Sequence, residues 1–329
     1  MTRIPIFHNF KTLNELRYVK STIGFLFPGQ GSQSVGMGKV LYETNAHISS
    51  LYQDAEKVLG YDVGALCFEG PVEQLNQTEF TQPALLVTSV AAWKLVQDGP
   101  LIPAVVAGHS LGEYTALVAA GAIGFCEAVG LVQKRGRYMA DAVSPGSGLV
   151  AAVLGLSESE IFEVCKEAEL LGIVAPANLN SPGQTVIAGE KVAVERALEL
   201  AKARGAKRVK PLPVSVPVHT PLMQVAADRL KKDIDSLEWS DLKVPLINNV
   251  EAKVLRSGDE VRLSLVQQLP SSVRWQETIQ KMWSMGIRNF IEIGPGKVLT
   301  GLVKRIVPEA ETWNISDQES YERVLAHVA

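Results

Sequence analysis

Short apolar runs that end in glycine alternate with segments of helical periodicity through most of the 329-residue chain. Ile23-Gly24-Phe25-Leu26-Phe27 runs into Pro28-Gly29-Gln30-Gly31-Ser32-Gln33, which predicts a buried strand opening into a glycine-rich loop. Residues 104–107 form a second such run, entering Gly108-His109-Ser110-Leu111-Gly112 and then a small-residue helix over 113–120. A third run, 290–293, stops at Gly294-Pro295-Gly296 and is followed by helical spacing over 298–306. Strands that end in loops and are followed by helices predict a parallel sheet, whose ligand site lies off the carboxyl ends of its strands. The three loops should therefore converge.

Residues 145–214 follow another order. After Ser144-Pro145-Gly146-Ser147-Gly148 the pattern reads strand 149–154, helix 157–171, strand 173–177, a turn at Asn180-Ser181-Pro182-Gly183, strand 184–188, helix 192–204 and strand 207–212. This βαββαβ order is the split, ferredoxin-like unit. It predicts a small subdomain over 145–214 inserted into a large α/β subdomain made of 22–144 and 215–329. Residues 1–21 stand apart. Arg3, Lys11, Arg17 and Lys20 face a single acid, Glu15, a bias shared with transit peptides; the reading preferred is an extension docked on the surface.

Charge and composition narrow the function classes. Lys plus Arg total 32 against 35 Asp plus Glu, for a net charge of -3. No basic stripe of the kind that neutralises phosphates is encoded, so nucleic acid is not an expected partner. With 47% hydrophobic and 20% charged residues the chain has ample material for a packed core. Cys67, Cys126 and Cys165 are odd in number and widely spaced, which predicts neither a disulfide framework nor a metal site and places the protein in a reducing, cytoplasmic compartment. No apolar run approaches the length of a membrane span.

The chemistry is concentrated at Gly108-His109-Ser110-Leu111-Gly112. A G-x-S-x-G between a strand and a helix predicts a nucleophile elbow: the glycines permit the sharp turn, and the hydroxyl of Ser110 is presented at a helix N-terminus. A serine there could also merely cap the helix. A neutral serine nucleophile needs a base, and histidine suits the task. His8 and His327 lie near the termini, His47 sits in a polar helical stretch, and His109, next to Ser110 on a sharp turn, points elsewhere and supports the structure. His219, after the proline-rich segment Pro211-Leu212-Pro213-Val214-Ser215-Val216-Pro217-Val218, is left by elimination. No acid stands in a strand-ending loop between Ser110 and His219, since Asp141 falls in a helical pattern. A carbonyl is then the expected orienting group for the histidine, an arrangement suited to group transfer. Arg135 lies within Lys134-Arg135-Gly136-Arg137 on an otherwise apolar helix; context alone favours its reaching to solvent over its binding a carboxylate.

Together the motifs resemble a known family. Phe27-Pro28-Gly29-Gln30-Gly31-Ser32-Gln33, Gly108-His109-Ser110-Leu111-Gly112-Glu113-Tyr114, Asn178-Leu179-Asn180-Ser181-Pro182-Gly183-Gln184, Val216-Pro217-Val218-His219, Gln267-Gln268-Leu269 with Val273-Arg274-Trp275, and Gly294-Pro295-Gly296-Lys297-Val298-Leu299 stand in the order found in the malonyl-CoA:acyl-carrier-protein transacylases of type II fatty acid synthesis. The resemblance spans about residues 22–306. It implies an α/β-hydrolase-like large subdomain with a ferredoxin-like insertion. By the same resemblance Ser110 is the nucleophile and His219 the base, and Arg135 holds the malonyl carboxylate, against the reading from context. It further implies that the backbone N–H groups of Gln30 and Leu111 form the oxyanion hole and that the backbone carbonyl of Gln268 orients His219. No cofactor is implied, because the coenzyme A thioester is a substrate. An acidic acyl carrier protein is the implied partner, and the densest basic run, Lys202, Arg204, Lys207, Arg208 and Lys210, is the expected docking face. An acyltransferase serving a polyketide pathway carries the same motifs. A serine esterase and a non-catalytic carrier-docking protein are the more distant alternatives.

Overall fold

The computed structural model describes residues 22–214 and 216–328, so the expectations placed on residues 1–21 and on His8 lie outside the described residues. Two sheets organise the chain. The strands are β1 (Ile23–Phe27), β2 (Val105–Gly108), β3 (Gly148–Leu154), β4 (Val174–Ser181), β5 (Gln184–Glu190), β6 (Arg208–Pro211), β7 (Leu246–Ile247), β8 (Val254–Leu255), β9 (Asn289–Ile293) and β10 (Glu311–Ile315).

The larger sheet has the order β10-β9-β1-β2-β7-β8. Neighbours from β10 to β7 are parallel, and β8 closes the edge antiparallel to β7. Its central strands are apolar on both faces because helices cover both. Phe25 and Phe27 face one buried cluster and Leu26 the other, as parallel strands require. The 19-residue helix Thr78–Val96 lies almost wholly inside, with Leu85, Leu86, Val87 and Val90 buried. Among the described residues no helix is long and apolar enough to cross a membrane.

The smaller sheet has the order β4-β5-β3-β6 and is antiparallel throughout. The helices Glu158–Ala168 and Lys191–Ala203 cover one face through Ile161, Val164, Val194, Ala197 and Leu198. Ser157 and Glu160 form a capping box that starts the first of them. The βαββαβ order read from the sequence is present. Two details differ: the predicted turn begins only at Pro182, because β4 continues to Ser181, and Glu169–Leu171 tightens into a 3-10 turn. The uncovered face, with Val150, Val186, Leu212 and Val214, turns toward the carboxyl ends of the large sheet.

Of the three glycine loops, two meet at one cavity, lined by Gln30 from the first and His109, Ser110 and Leu111 from the second. The third does not reach it. Gly294 packs against Pro28 and Ser89, and Gly296 against Ser32, so this loop braces the first one from behind.

Candidate active site

The elbow forms because backbone must cross backbone closely. A Cβ on Gly108 would fall 1.9 Å from the Gly112 carbonyl, and one on Gly112 would fall 2.0 Å from the Phe27 carbonyl oxygen. Only glycine fits either position. The turn drives Ser110 to φ 52°, a left-handed conformation that a non-glycine residue holds only when its surroundings impose it. Asn249, on the loop after β7, supplies that constraint: its Oδ1 accepts the Ser110 N–H at 2.6 Å and its Nδ2 donates to the Gly108 carbonyl at 2.7 Å.

His219 is likewise left-handed, at φ 64°, and 1% exposed. Its Nε2 lies 2.7 Å from Ser110 Oγ. Its Nδ1 lies 2.9 Å from the Gln268 carbonyl and 3.0 Å from the Ser271 carbonyl. Two carbonyls accept only, so the ring proton sits on Nδ1 and the Nε2 lone pair faces the serine hydroxyl. Burial, reinforced by the charge of Arg135, lowers the imidazole pKa to about 3. The imidazole is therefore neutral at physiological pH.

Arg135 does not reach solvent. It is 1% exposed, because Ala128, Val132 and Met139 of its helix Phe125–Asp141 turn the same face inward. Its Nη1 donates to Gln82 Oε1 at 2.8 Å, and its Nη2 to Gln268 Oε1 at 3.0 Å and Ser110 Oγ at 3.2 Å. The Nε is buried without a partner, and the Nη2 contact to Ser110 Oγ brings the guanidinium to the edge of the cavity. A charge this deep needs hydrogen-bond partners to be tolerated, and its two Nη groups find them in the Gln82 and Gln268 amides and the Ser110 hydroxyl. The carboxylate-binding alternative, not the solvent one, fits this geometry.

Gln30, Ser110, Leu111, Arg135 and His219 all line a cavity of about 90 Å³ between the two sheets. Among the described residues the backbone N–H groups of Gln30 and Leu111 donate to no protein acceptor, which leaves both free for a ligand oxygen. His109 also lines this cavity; its Nε2 is bound to Asn180 Oδ1 at 2.9 Å rather than to Ser110, and its ring stands edge-on to Trp275. Asp141 pairs with Arg229 on the surface, and His47 is exposed. Among the described residues no cluster of three His, Cys, Asp or Glu side chains could hold a metal. Sequence reasoning missed Gln82, Asn249 and the side chains of Gln268 and Glu113. Gln82 and Asn249 are neutral amides without a motif of their own; Gln268 and Glu113 stand inside quoted motifs, where only the backbone carbonyl of Gln268 was read and the Glu113 carboxylate was passed over.

A serine on a strand-elbow-helix turn, a carbonyl-oriented histidine and a buried arginine meet in a fold shared with acyltransferases. The chain belongs to the acyl transferase domain family, whose model matches residues 24–323. Within that family its relatives are malonyl CoA-acyl carrier protein transacylases, and it belongs with them. It is 49% identical over 284 residues, 86% of this chain and 92% of the relative, to the malonyl CoA-acyl carrier protein transacylase of Escherichia coli strain K12. The crystal structure of an acyl carrier protein S-malonyltransferase from Vibrio cholerae superposes with a TM-score of 0.90 at 50% identity, covering 92% of this chain and 100% of that one. A malonyl-transacylase solved in complex with its type II PKS acyl-carrier protein superposes with a TM-score of 0.91 at 46% identity, covering 93% and 99%.

The low imidazole pKa has a consequence for stability. A histidine at about 3 when folded and about 6.5 when unfolded takes up its proton first in the unfolded chain as pH falls, so stability is lost with acidification below about 6.5. Relative to His219→Gln, the parent protein should lose about 1.4 kcal/mol of unfolding free energy per pH unit between pH 6 and 4, measured by urea denaturation. Glu113, whose carboxyl burial raises to about 7, bends each absolute curve the other way, so the difference between the two proteins is the quantity to read. A difference that does not change with pH contradicts a neutral buried His219.

Proposed function

We propose that the protein moves the malonyl group from malonyl-CoA to the phosphopantetheine thiol of an acyl carrier protein through a malonyl ester on Ser110. The observation that carries this reading is the position of Ser110 Oγ, 2.7 Å from a neutral imidazole nitrogen and 3.2 Å from a buried guanidinium.

Ser110 Oγ attacks the thioester carbonyl while His219 Nε2 takes its proton. The oxyanion is received by the free N–H groups of Gln30 and Leu111, the second of them at the start of the helix Gly112–Ala119. The carbon–sulfur bond breaks, the imidazolium returns its proton to the coenzyme A sulfur, and the malonyl ester remains. The carrier's thiol then gives its proton to His219, attacks the ester, and Ser110 recovers its hydrogen. The Gln268 and Ser271 carbonyls hold the Nδ1–H throughout. Arg135 pairs with the free carboxylate of the malonyl group, which fixes the acyl chain in one pose. The thioester is a substrate, and the reading calls on no cofactor.

In this reading residues 22–144 and 215–329 form the catalytic subdomain and 145–214 the small one, with the substrate entering between them. The carrier docks on the small subdomain. Lys202, Lys207, Arg208 and Lys210 are exposed, whereas Arg204 is engaged with Glu163 and Glu167 at 2.8 and 3.0 Å and contributes less. Lys210 pairs in register with Ala152, and Arg208 with Leu154. Both basic side chains therefore share a sheet face with Val150 and Leu212 at the cavity, a continuous path from an acidic partner to Ser110. Three free cysteines suit a reducing, cytoplasmic setting. Service to a polyketide carrier is the second reading, favoured by the likeness to the transacylase bound to such a carrier.

Incubation with malonyl-CoA followed by mass spectrometry should find one malonyl adduct on the parent protein and none on Ser110→Ala, which should also lose all transfer. An adduct retained by the variant removes Ser110 from its role. Arg135→Ala should lower kcat/KM for malonyl-CoA at least about 100-fold more than for acetyl-CoA, as expected when a charge-assisted pair is removed; equal losses would show that Arg135 does not read the carboxylate. Reversing Lys207, Arg208 and Lys210 to Glu should raise KM for the carrier while leaving adduct formation from malonyl-CoA unchanged, and an unaltered KM rules out this face.

A further inference from the structure

Among the described residues Glu113 is the carboxylate buried beside the elbow, 1% exposed and three residues after Ser110. Its Oε2 accepts two hydrogen bonds, from Gln268 Nε2 at 2.9 Å and from the Asn249 N–H at 3.1 Å. Gln268 Nε2 also donates to the Ser110 carbonyl at 3.1 Å, while its Oε1 accepts from Arg135 Nη2 at 3.0 Å. This fixes which way the carboxamide lies. Turned over, its NH2 would face the Arg135 donor and its oxygen would face two acceptors, the Ser110 carbonyl and Glu113. The amide thus relays between an acid on one side and a guanidinium on the other. Among the described residues no contact ion pair joins Glu113 to Arg135; the two charges attract at longer range, and the Gln268 carboxamide is the hydrogen-bonded link between them.

We propose that Glu113 is a positioning residue for malonyl transfer: by holding the Gln268 carboxamide in one orientation it sets the Arg135 guanidinium toward the acyl carboxylate, and thereby supports selection of malonyl over uncharged acyl groups. The inference rests on the reading of Arg135 given above. It differs from a role in folding alone, because a structural defect slows every acyl donor alike, whereas a misdirected guanidinium affects only the donor that carries a carboxylate. Buried acidity fits the assignment, since the carboxyl accepts two N–H bonds in a site where burial works against its charge.

The test is the ratio of kcat/KM for malonyl-CoA to that for acetyl-CoA, with both donors run on one preparation so that the amount of folded enzyme cancels. Glu113→Leu, close in size and unable to accept a hydrogen bond, should lower the ratio about tenfold, and Glu113→Gln, which keeps an acceptor oxygen, should hold it within about threefold. In an Arg135→Ala background Glu113→Leu should change the ratio no further. Three results separate the claims. If Arg135→Ala alone leaves the ratio unchanged, the reading of Arg135 fails. If Arg135→Ala shifts it and Glu113→Leu does not, or if Glu113→Leu still shifts it without Arg135, the positioning role is overturned.

Discussion

The site depends on one hydrogen bond, the 2.7 Å contact between Ser110 Oγ and His219 Nε2 across 109 residues of sequence. Both residues are held left-handed, at φ 52° and 64°, and neither would stay there unaided. The elbow is imposed on Ser110 by glycine crossings at β1 and β2 and by the two bonds from Asn249. His219 is imposed by its N–H to the Leu269 carbonyl and by the two carbonyls at Nδ1. The strand β7, only two residues long, earns its place by carrying Asn249 to the elbow.

Burial of Arg135 follows from the same arrangement. The guanidinium reaches Ser110 only by entering the core, and there it lowers the proton affinity of His219 and lies 5.3 Å from the Tyr114 ring centroid. Neutral amides from the helices Thr78–Val96 and Gly258–Gln268 satisfy it. A direct carboxylate partner would compete with an anionic acyl group for the same donors. Amides avoid that competition and leave the cation available.

What could be read from the sequence was local. The elbow, the βαββαβ unit and the helix Val298–Ile306 all announce themselves through turn residues and periodicity within a dozen positions. His219 emerged by elimination among five histidines. Its orienting groups did not, because a backbone carbonyl has no residue signature. Arg135 was misjudged from context, since an arginine on an apolar helix is compatible with either a snorkelled or a buried head; only the motifs around it pointed inward. The braced position of Gly294 was illegible for a similar reason. Its strand and loop were correctly foreseen, but whether a loop lines a cavity or backs one is decided by packing against Pro28 and Ser89, contacts that span most of the chain.

The carbonyl-oriented histidine also bears on why an ester on Ser110 would await a carrier and not water. A carboxylate at Nδ1 would raise the proton affinity of the ring; two neutral carbonyls do so less, and burial keeps the pKa at about 3. Such a weak base has little power to draw a proton from water, whose pKa is about 15.7. A serine hydroxyl is about as weak an acid, so in the proposed reaction the Ser110 proton moves only as the carbon–oxygen bond forms, with the Gln30 and Leu111 N–H groups taking the developing charge. A thiol ionises near 8.5, so the same base assists its attack far more readily. The thiol thus asks less of the imidazole than water does, a difference that favours transfer over hydrolysis. Carbonyls at Nδ1, where a carboxylate would raise the proton affinity of the ring, leave that preference in place.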